Sequence, residues 1–379
     1  MGKVVISTTN RSGDCEKALP RHLEPLASEQ NSRREVLTLN KFIEAPHLNI
    51  TILGAGAWGT ALAVSLSQDH SIRLWGRDAQ HIAEIGAQRE NHRYLAGIAI
   101  PDLVSLTTDL NTALDGADLV LSVAPTAALR QTLQAVAKLA PQMPVIWACK
   151  GFEKTSGQLA HQIAMEELGK DAKCGVLSGP SFAREIAAGK PAALTLAAQD
   201  TDFAHHMALA LHSNRLRVYS SADVVGVELG GALKNVIAIA AGISDGLGLG
   251  NNARAALITR GLAETTRLGL RMGGQLETFM GLTGLGDLVL TTTGDLSRNR
   301  QVGLALAKGE AIATILQTLG HVAEGVHTAP EVARIAAKLG VEMPITDAVC
   351  AVIEAKLTAA DAVDTLMRRD PKAETRFNF

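Results

Sequence analysis

Leu48–Gly59 reads LNITILGAGAWG. A β-branched apolar run, Asn49–Leu53, ends in Gly54-x-Gly56-x-x-Gly59, and an Ala-rich stretch with helical spacing follows at once. Strand, tight turn and helix in this order are the context that a dinucleotide-phosphate fingerprint requires. Gly54 allows the turn, Gly56 lets the backbone approach a pyrophosphate, and Gly59 lets the helix pack on its strand. The first helical turn then offers free N–H groups and a positive dipole end to the phosphates. The bland alternative is a Gly-rich strand-to-helix turn that binds nothing.

Working outward, strand and helix alternate from residue 49 to about 220. Strand-like runs are Asn49–Leu53, Ser71–Trp75, Asp118–Ala124, Pro144–Cys149, Cys174–Leu177, Ala192–Ala197 and Arg215–Tyr219. Helical spacing fills the gaps, for example at Ala127–Leu139 and Ser156–Leu168. This rhythm predicts an α/β, doubly wound parallel sheet of Rossmann type. Ligands of such sheets bind outside the carboxyl ends of the strands. Those ends carry Gly54, Gly76-Arg77, Ala124-Pro125, Lys150-Gly151 and Ser178-Gly179-Pro180. After about residue 222 the strand pattern stops. Helical spacing continues at Asn252–Leu270, Gln301–Leu306, Thr328–Leu339 and Ala359–Met367. The expected organisation is an extension over 1–48, a cofactor-binding domain over 49–221 and an all-helical domain over 222–379.

Composition narrows the function class. The chain has 379 residues, 47% of them hydrophobic, and a formal net charge of −2, so no global charge pulls it toward nucleic acid or membrane. No run approaches the ~18 apolar residues of a spanning helix. The cysteines (Cys15, Cys149, Cys174 and Cys350) lie far apart and form no CxxC, which suggests reduced thiols and a cytoplasmic setting. No metal site is expected: His205, His206 and His212 read as a solvated helix face. Residues 1–48 are polar, of mixed charge and without sustained periodicity. They read as a disordered extension or a wrongly assigned start, without a secretory signal.

Several side chains stand where chemistry is expected. The second strand ends in Gly76-Arg77-Asp78. NAD sites place an acid here for the ribose 2′-hydroxyl, whereas a guanidinium accommodates the 2′-phosphate of NADP. Arg77 therefore favours NADP(H), with NAD(H) also usable; Asp78, one position late, is still able to face a ribose. Lys150 ends a buried strand and meets the crevice, where an anion would sit; a lysine snorkelling at a strand end is the alternative. In LSGPSFAREIAAGKP, Ser181 either caps a helix or bonds a ligand.

Lys234 lies in the apolar stretch ELGGALKNVIAIAAG. Its helical neighbours Gly230, Ile237 and Ala238 are small or apolar, which leaves room for a substrate. A buried ammonium is costly unless it is paired or its pKa falls, and a lowered pKa suits a general acid or base near neutrality. Asp287, among the apolar residues of GLTGLGDLVL, needs a partner, and Lys234 is a candidate. Ser297-Arg298-Asn299 offers a hydroxyl, a bidentate donor and an amide in succession, a set that suits a phosphate. A helix cap followed by a surface arginine is the plain alternative. Glu324, in HVAEGVHT, contacts either a ribose or solvent.

Together these blocks resemble the bacterial-type NAD(P)-dependent glycerol-3-phosphate dehydrogenases over roughly residues 49–370. The resemblance rests on GAGAWGTALA, LWGR, Lys150-Gly151, LSGPSFAREIAAG, GVELGGALKNVIAIAAGISDGLGLGNNARAALITRGLAE, GLTGLGDLVLT, SRNR and VAEG, in the family's order. It implies reversible reduction of dihydroxyacetone phosphate to glycerol 3-phosphate, feeding phospholipid synthesis. It implies cofactor contacts at Ala57, Trp58, Arg77, Lys150, Ala183, Arg298, Val322 and Glu324. Substrate contacts are implied at Lys150, Gly179, Ser181, Lys234, Asp287, Ser297, Arg298 and Asn299. Lys234 would be the proton acceptor, with Asp287 beside the reacting oxygen. Ala57 departs from the serine of many members, which removes one hydroxyl near the cofactor phosphate.

Two other classes compete. A 2-hydroxyacid or ketopantoate-type reductase shares the two-domain plan but has no use for SRNR. A non-catalytic NADP(H)-sensing module needs neither Lys234 nor Asp287. The apolar helices of the second domain are compatible with a homodimer.

Overall fold

The computed structural model describes residues 46–319 and 323–370. Residues 1–45 of the expected extension, and Val322, lie outside the described residues.

Ten strands occur between Asn49 and Ser221. They are β1 (Asn49–Leu53), β2 (Ser71–Trp75), β3 (Glu90–Asn91), β4 (Ala96–Ala99), β5 (Val104–Thr107), β6 (Leu119–Ser122), β7 (Val145–Trp147), β8 (Cys174–Ser178), β9 (Ala192–Ala197) and β10 (Leu216–Ser221). Eight form one sheet in the order β10-β9-β8-β7-β6-β1-β2-β5; β3 and β4 form a separate antiparallel pair. β1 lies between β2 and β6, with Leu53 opposite Trp75 on one side and Ser122 on the other. Ile50 to Leu53 are buried, as expected for a strand covered by helices on both faces. One cluster, including Ile52, Leu62, Leu74, Leu119 and Ile146, lies against the sheet. Another, including Leu53, Val120, Leu133, Trp147 and Ile163, is distinct from it. Truncating any one of these core residues to Ala costs about 2–5 kcal/mol.

The chain order reverses between β1 and β6, and the carboxyl ends of these strands form the switch point where doubly wound sheets bind ligands. The glycine-rich turn sits there. A Cβ on Gly59 would stand 1.9 Å from the Gly54 carbonyl oxygen and 2.8 Å from Val123 Cγ2, so only glycine lets the helix Ala57–Leu66 close on the turn. Gly54 itself has φ of +126°, a conformation that favours glycine.

The structure departs from the sequence reading in several places, the short β3–β4 pair among them. β8 and β9 pair antiparallel, so β9 and β10 run against the other six strands. The connecting helix, Ala183–Ala187, explains this: five residues advance only about 7.5 Å, too short to carry the chain back along the sheet for a parallel return. β5 escaped notice because Leu103, beside it, is 75% exposed and breaks the alternation. The helix expected from Ser156 begins at Ala160. Ser156 Oγ instead donates to Glu153, and Arg130 draws Glu153, Gln158, Glu166 and Glu167 together.

A further departure concerns the helices after β10. From Val224 to Met367 the named elements are helices and one π-turn, Leu282–Gly286. The 23-residue helix Val224–Gly246 is long and apolar enough to cross a membrane by length and composition, yet 83% of its apolar window is buried inside the protein. Counting uninterrupted apolar runs misses it because Glu228, Lys234 and Asn235 break the run. It is the central helix of this half. The helices Gly250–Arg271, Asp287–Thr293, Arg298–Ala307 and Glu324–Leu339 pack around it. Buried Val236, Ile239, Leu288, Val302, Val326 and Val349 form the core there.

Candidate active site

The features expected to bind the cofactor line the carboxyl ends of β1 and β2. Gly54 N donates to Trp75 O at 3.0 Å and ties the turn to β2. A Cβ on Gly56 would meet no protein atom within 4 Å, so the space over this backbone is open to a ligand. The helix that follows has Gly56 as N-cap and no side chain capping its first turn. Its amides remain available to an anion. The residues present therefore fit a dinucleotide pyrophosphate. Ala57 and Trp58 are half-buried in this first turn.

Asn91 also holds this loop, and it went unnoticed in the sequence. It is fully buried, and its Nδ2 donates to Ala55 O at 3.0 Å and to Thr60 Oγ1 at 2.8 Å. Its Oδ1 accepts from Tyr94 N at 3.2 Å, starting the short helix His92–Leu95. The only local signal is an asparagine in a capping position. Arg77 is exposed at the end of β2. Asp78, expected to be able to face a ribose, is the N-cap of the helix Ala79–Gln88, accepting from His81 N at 3.2 Å. It also pairs with Arg93 Nη1 at 3.4 Å.

The chemistry-bearing groups gather where the central helix meets β7 and β8. Asp287 is fully buried; its Oδ2 accepts from Lys150 Nζ at 2.7 Å and its Oδ1 from Lys234 Nζ. One carboxylate therefore bridges two ammonium groups brought from positions far apart in the chain. Two glycines in the central helix make the approach possible. A Cβ on Gly230 would lie 2.5 Å from Thr283 O, in the π-turn that leads into Asp287. A Cβ on Gly231 would lie 2.9 Å from Ser178 Oγ and 3.4 Å from the Lys150 stem. The room expected beside Lys234 at Gly230 is thus filled by backbone, and it serves to seat Asp287. Thr291 Oγ1 donates to Asp287 O at 2.6 Å and fixes the start of that helix.

Burial lowers the Lys234 pKa to about 7; Asp287 opposes the fall and nearby Lys150 adds to it. A lysine that changes protonation near neutrality can both donate and accept a proton. Glu324 begins the helix Glu324–Leu339 and is half-buried. Burial raises its carboxyl pKa, against the pull of Arg298, Lys150 and Lys234. Cys149, beside Lys150, is buried and its thiol pKa is pushed up, so it is a packing residue.

Gly179 is buried at the end of β8, and its carbonyl accepts from Lys150 Nζ at 3.4 Å and from Ser181 Oγ at 2.9 Å. Ser181 is not a helix cap: the helix starts at Ala183 with Phe182 as N-cap. The local turn back to Gly179 takes the hydroxyl proton instead. Ala183 is half-buried at that helix start.

Ser297 caps the helix Arg298–Ala307, accepting from Arg300 N at 3.3 Å. Arg298 is exposed. Asn299 is buried with both ends of its amide engaged: Nδ2 donates to Asn235 Oδ1 at 2.9 Å, and Oδ1 accepts from Gly325 N at 3.0 Å. It joins the central helix to the Glu324 helix. Asn235, next to Lys234, is the second residue missed in the sequence, where it looks like one more helix position.

The sequence relationships agree with this geometry. The family model described as NAD-dependent glycerol-3-phosphate dehydrogenase N-terminus matches residues 49–204, and its C-terminus counterpart matches residues 223–364. A glycerol-3-phosphate dehydrogenase, NAD(P)+, of Nitrosospira multiformis is 58% identical over 331 residues, covering 86% of this chain and 99% of its own. One of the same name from Dechloromonas aromatica is 57% identical over 327 residues, with 86% and 99% covered. The crystal structure of glycerol-3-phosphate dehydrogenase from Coxiella burnetii superposes with a TM-score of 0.82 at 42% identity, covering 85% of this chain and 99% of that one. A ketopantoate reductase from Ralstonia eutropha reaches a TM-score of 0.52 at 17% identity, which is likeness of fold alone. Both halves match one family, and more than half of the aligned positions are identical to named members; the chain belongs to the NAD-dependent glycerol-3-phosphate dehydrogenases, oxidoreductases that work with a nicotinamide cofactor.

Proposed function

We propose that this chain catalyses the reversible reduction of dihydroxyacetone phosphate to sn-glycerol 3-phosphate, with NADPH preferred and NADH usable. The observation that carries the reading is the buried Lys150–Asp287–Lys234 bridge at the carboxyl ends of the strands. Bound NAD(P)H supplies the hydride for C2 of the ketone. Negative charge then grows on the carbonyl oxygen, and protonated Lys234 stabilises it and donates the proton. In reverse, neutral Lys234 takes the hydroxyl proton. Asp287 orients Lys234 and favours its charged form. Lys150, held by the same carboxylate, meets both substrate and cofactor.

Ser297 and Arg298 hold the substrate phosphate, and Asn299 fixes their segment to the central helix. Gly179 and Ser181 complete the substrate site. Gly54, Gly56, Ala57, Trp58 and Gly59 seat the pyrophosphate, and Ala183, Arg298 and Glu324 line the remainder of the cofactor. Arg77 takes the 2′-phosphate. In this division residues 49–221 carry most of the cofactor site and residues 222–379 most of the substrate site, with Lys150, Gly179 and Ser181 reaching across to the substrate and Arg298 and Glu324 to the cofactor. The product supplies phospholipid synthesis in the cytoplasm, a setting supported by the free thiols of Cys149, Cys174 and Cys350. Exposed Leu276, Met280 and Val289 support a homodimer through the helical half.

Oxidation of NADPH and NADH with dihydroxyacetone phosphate tests this reading. Turnover is expected with both and faster with NADPH. Tight cofactor binding without turnover would point to a reductase for another substrate or to a non-catalytic NADP(H)-sensing module.

A further inference from the structure

The acid that marks an NAD site is present here one position late, preceded in sequence by Arg77 and paired in space with Arg93. Asp78 follows Arg77 at the end of β2. One carboxylate oxygen of Asp78 caps its own helix through His81 N at 3.2 Å, and the other faces Arg93 Nη1 at 3.4 Å. Arg93 comes from a different segment, the His92–Leu95 turn, which Asn91 fastens to the phosphate loop at Ala55 and Thr60. Its guanidinium carbon also lies 5.1 Å from the Tyr94 ring centroid. The arginine is thus held at two points to the elements that would surround the adenosine ribose.

The balance of charge favours a phosphate. Arg93 already offsets the negative charge of Asp78, and exposed Arg77, next to it in sequence, adds a further positive charge at the end of β2. The other nearby acid, Glu90, is occupied by Gly97 N at 2.6 Å and His92 Nδ1 at 2.8 Å. The Asp78–Arg93 pair is more than half exposed on both sides, and exposed pairs contribute little. A phosphate dianion, with three acceptor oxygens and up to twice the charge, competes well for a planar guanidinium.

We propose that Arg93 joins Arg77 in a two-arginine seat for the 2′-phosphate of NADP(H), the phosphate taking the guanidinium from its weak, exposed pair with Asp78. This inference rests on the NADPH preference proposed above and adds a second specificity-determining residue to it.

Titration calorimetry with adenosine 2′,5′-bisphosphate and adenosine 5′-monophosphate tests it without turnover. The wild-type protein should bind the bisphosphate more tightly. Arg93→Gln should weaken the bisphosphate by about tenfold, the scale of one charge-assisted phosphate contact, and leave the monophosphate within about twofold. In parallel the KM for NADPH should rise while that for NADH and both kcat values hold. An unchanged bisphosphate affinity in Arg93→Gln, with a large loss in Arg77→Gln, would overturn the role of Arg93 alone. Equal weakening of both nucleotides would reduce Arg93 to a support for the loop, which also overturns it. No preference for the bisphosphate in the wild type would remove the NADP reading on which the proposal rests.

Discussion

In the strand half, between Asn49 and Ser221, the site proposed for the cofactor phosphates is built of backbone: the open face of Gly56 and the uncapped amides after it. In the helical half, from Val224 onward, the groups proposed for the chemistry are side chains. Lys234 and Asp287 are 53 positions apart, and Lys150, which comes from the strand half, lies 137 positions from Asp287. A backbone site is written in one contiguous stretch, because a turn and a helix start are local objects. A side-chain site is written in pieces, and packing brings them together. Changes in the two halves should therefore fail differently, one through cofactor binding and the other through turnover and its pH dependence.

The largest effect is expected at Lys234. Lys234→Ala should lower kcat by about 10²–10⁴ in both directions, the usual contribution of a placed acid or base, while cofactor affinity holds. A kcat within about tenfold of the wild type would break the division between halves. The pH profile sharpens it. The Lys234 pKa lies at about 7 in the folded protein, against 10.5 for an ordinary lysine, so the ammonium persists below about 7 and the amine above it. Reduction needs the ammonium and should fall as pH rises through about 7. Oxidation needs the amine and should rise over the same interval. Stability follows the same sign: between about 7 and 10.5 the unfolded chain binds the extra proton, so stability should increase with pH there. Lys234→Met should flatten that slope in chemical denaturation.

Asp287→Asn comes next. It leaves two ammonium groups facing each other without their carboxylate, and breaking one side of a buried pair costs about 3–5 kcal/mol. Asp287 raises the Lys234 pKa, so its loss should move the midpoint of the reduction profile below 7. At pH 7 the reductive kcat should fall by about tenfold or more, since part of the lysine is then neutral. A normal midpoint with normal stability would show that the bridge has no part in tuning the lysine.

How much of this could be read in advance follows from the same contrast. The phosphate turn, the alternation of strands and helices and the change of pattern near residue 222 are periodic or local signals, and they were legible. The antiparallel β9 and β10 were not, because direction depends on how far a five-residue helix carries the chain. Lys234 stood out as a charge in an apolar helix, and Asp287 as an acid in need of a partner. That Lys150 shares the same carboxylate depends on close packing at Gly230 and Gly231, which no spacing rule reports. Asn91 and Asn235 were missed because a buried amide that holds backbone or another amide looks like any polar residue in sequence.

Asn91 gives the smallest effect and the finest test of the comparison, since it is a side chain acting within the backbone-built half. Its amide is the link between Ala55 O, Thr60 Oγ1 and Tyr94 N. Asn91→Ala removes both donors and leaves the buried Thr60 hydroxyl without this partner, at a cost of about 1–3 kcal/mol. No ligand contact is lost directly, so the loop should loosen without losing charge. KM for NADPH and NADH should then rise together, by about tenfold at most, with kcat and the pH midpoint unchanged. A selective loss of NADPH binding would place Asn91 with the arginines that read the 2′-phosphate. A fall in kcat with KM intact would mean that the turn positions the nicotinamide end as well, and the two halves of the site would no longer be separable.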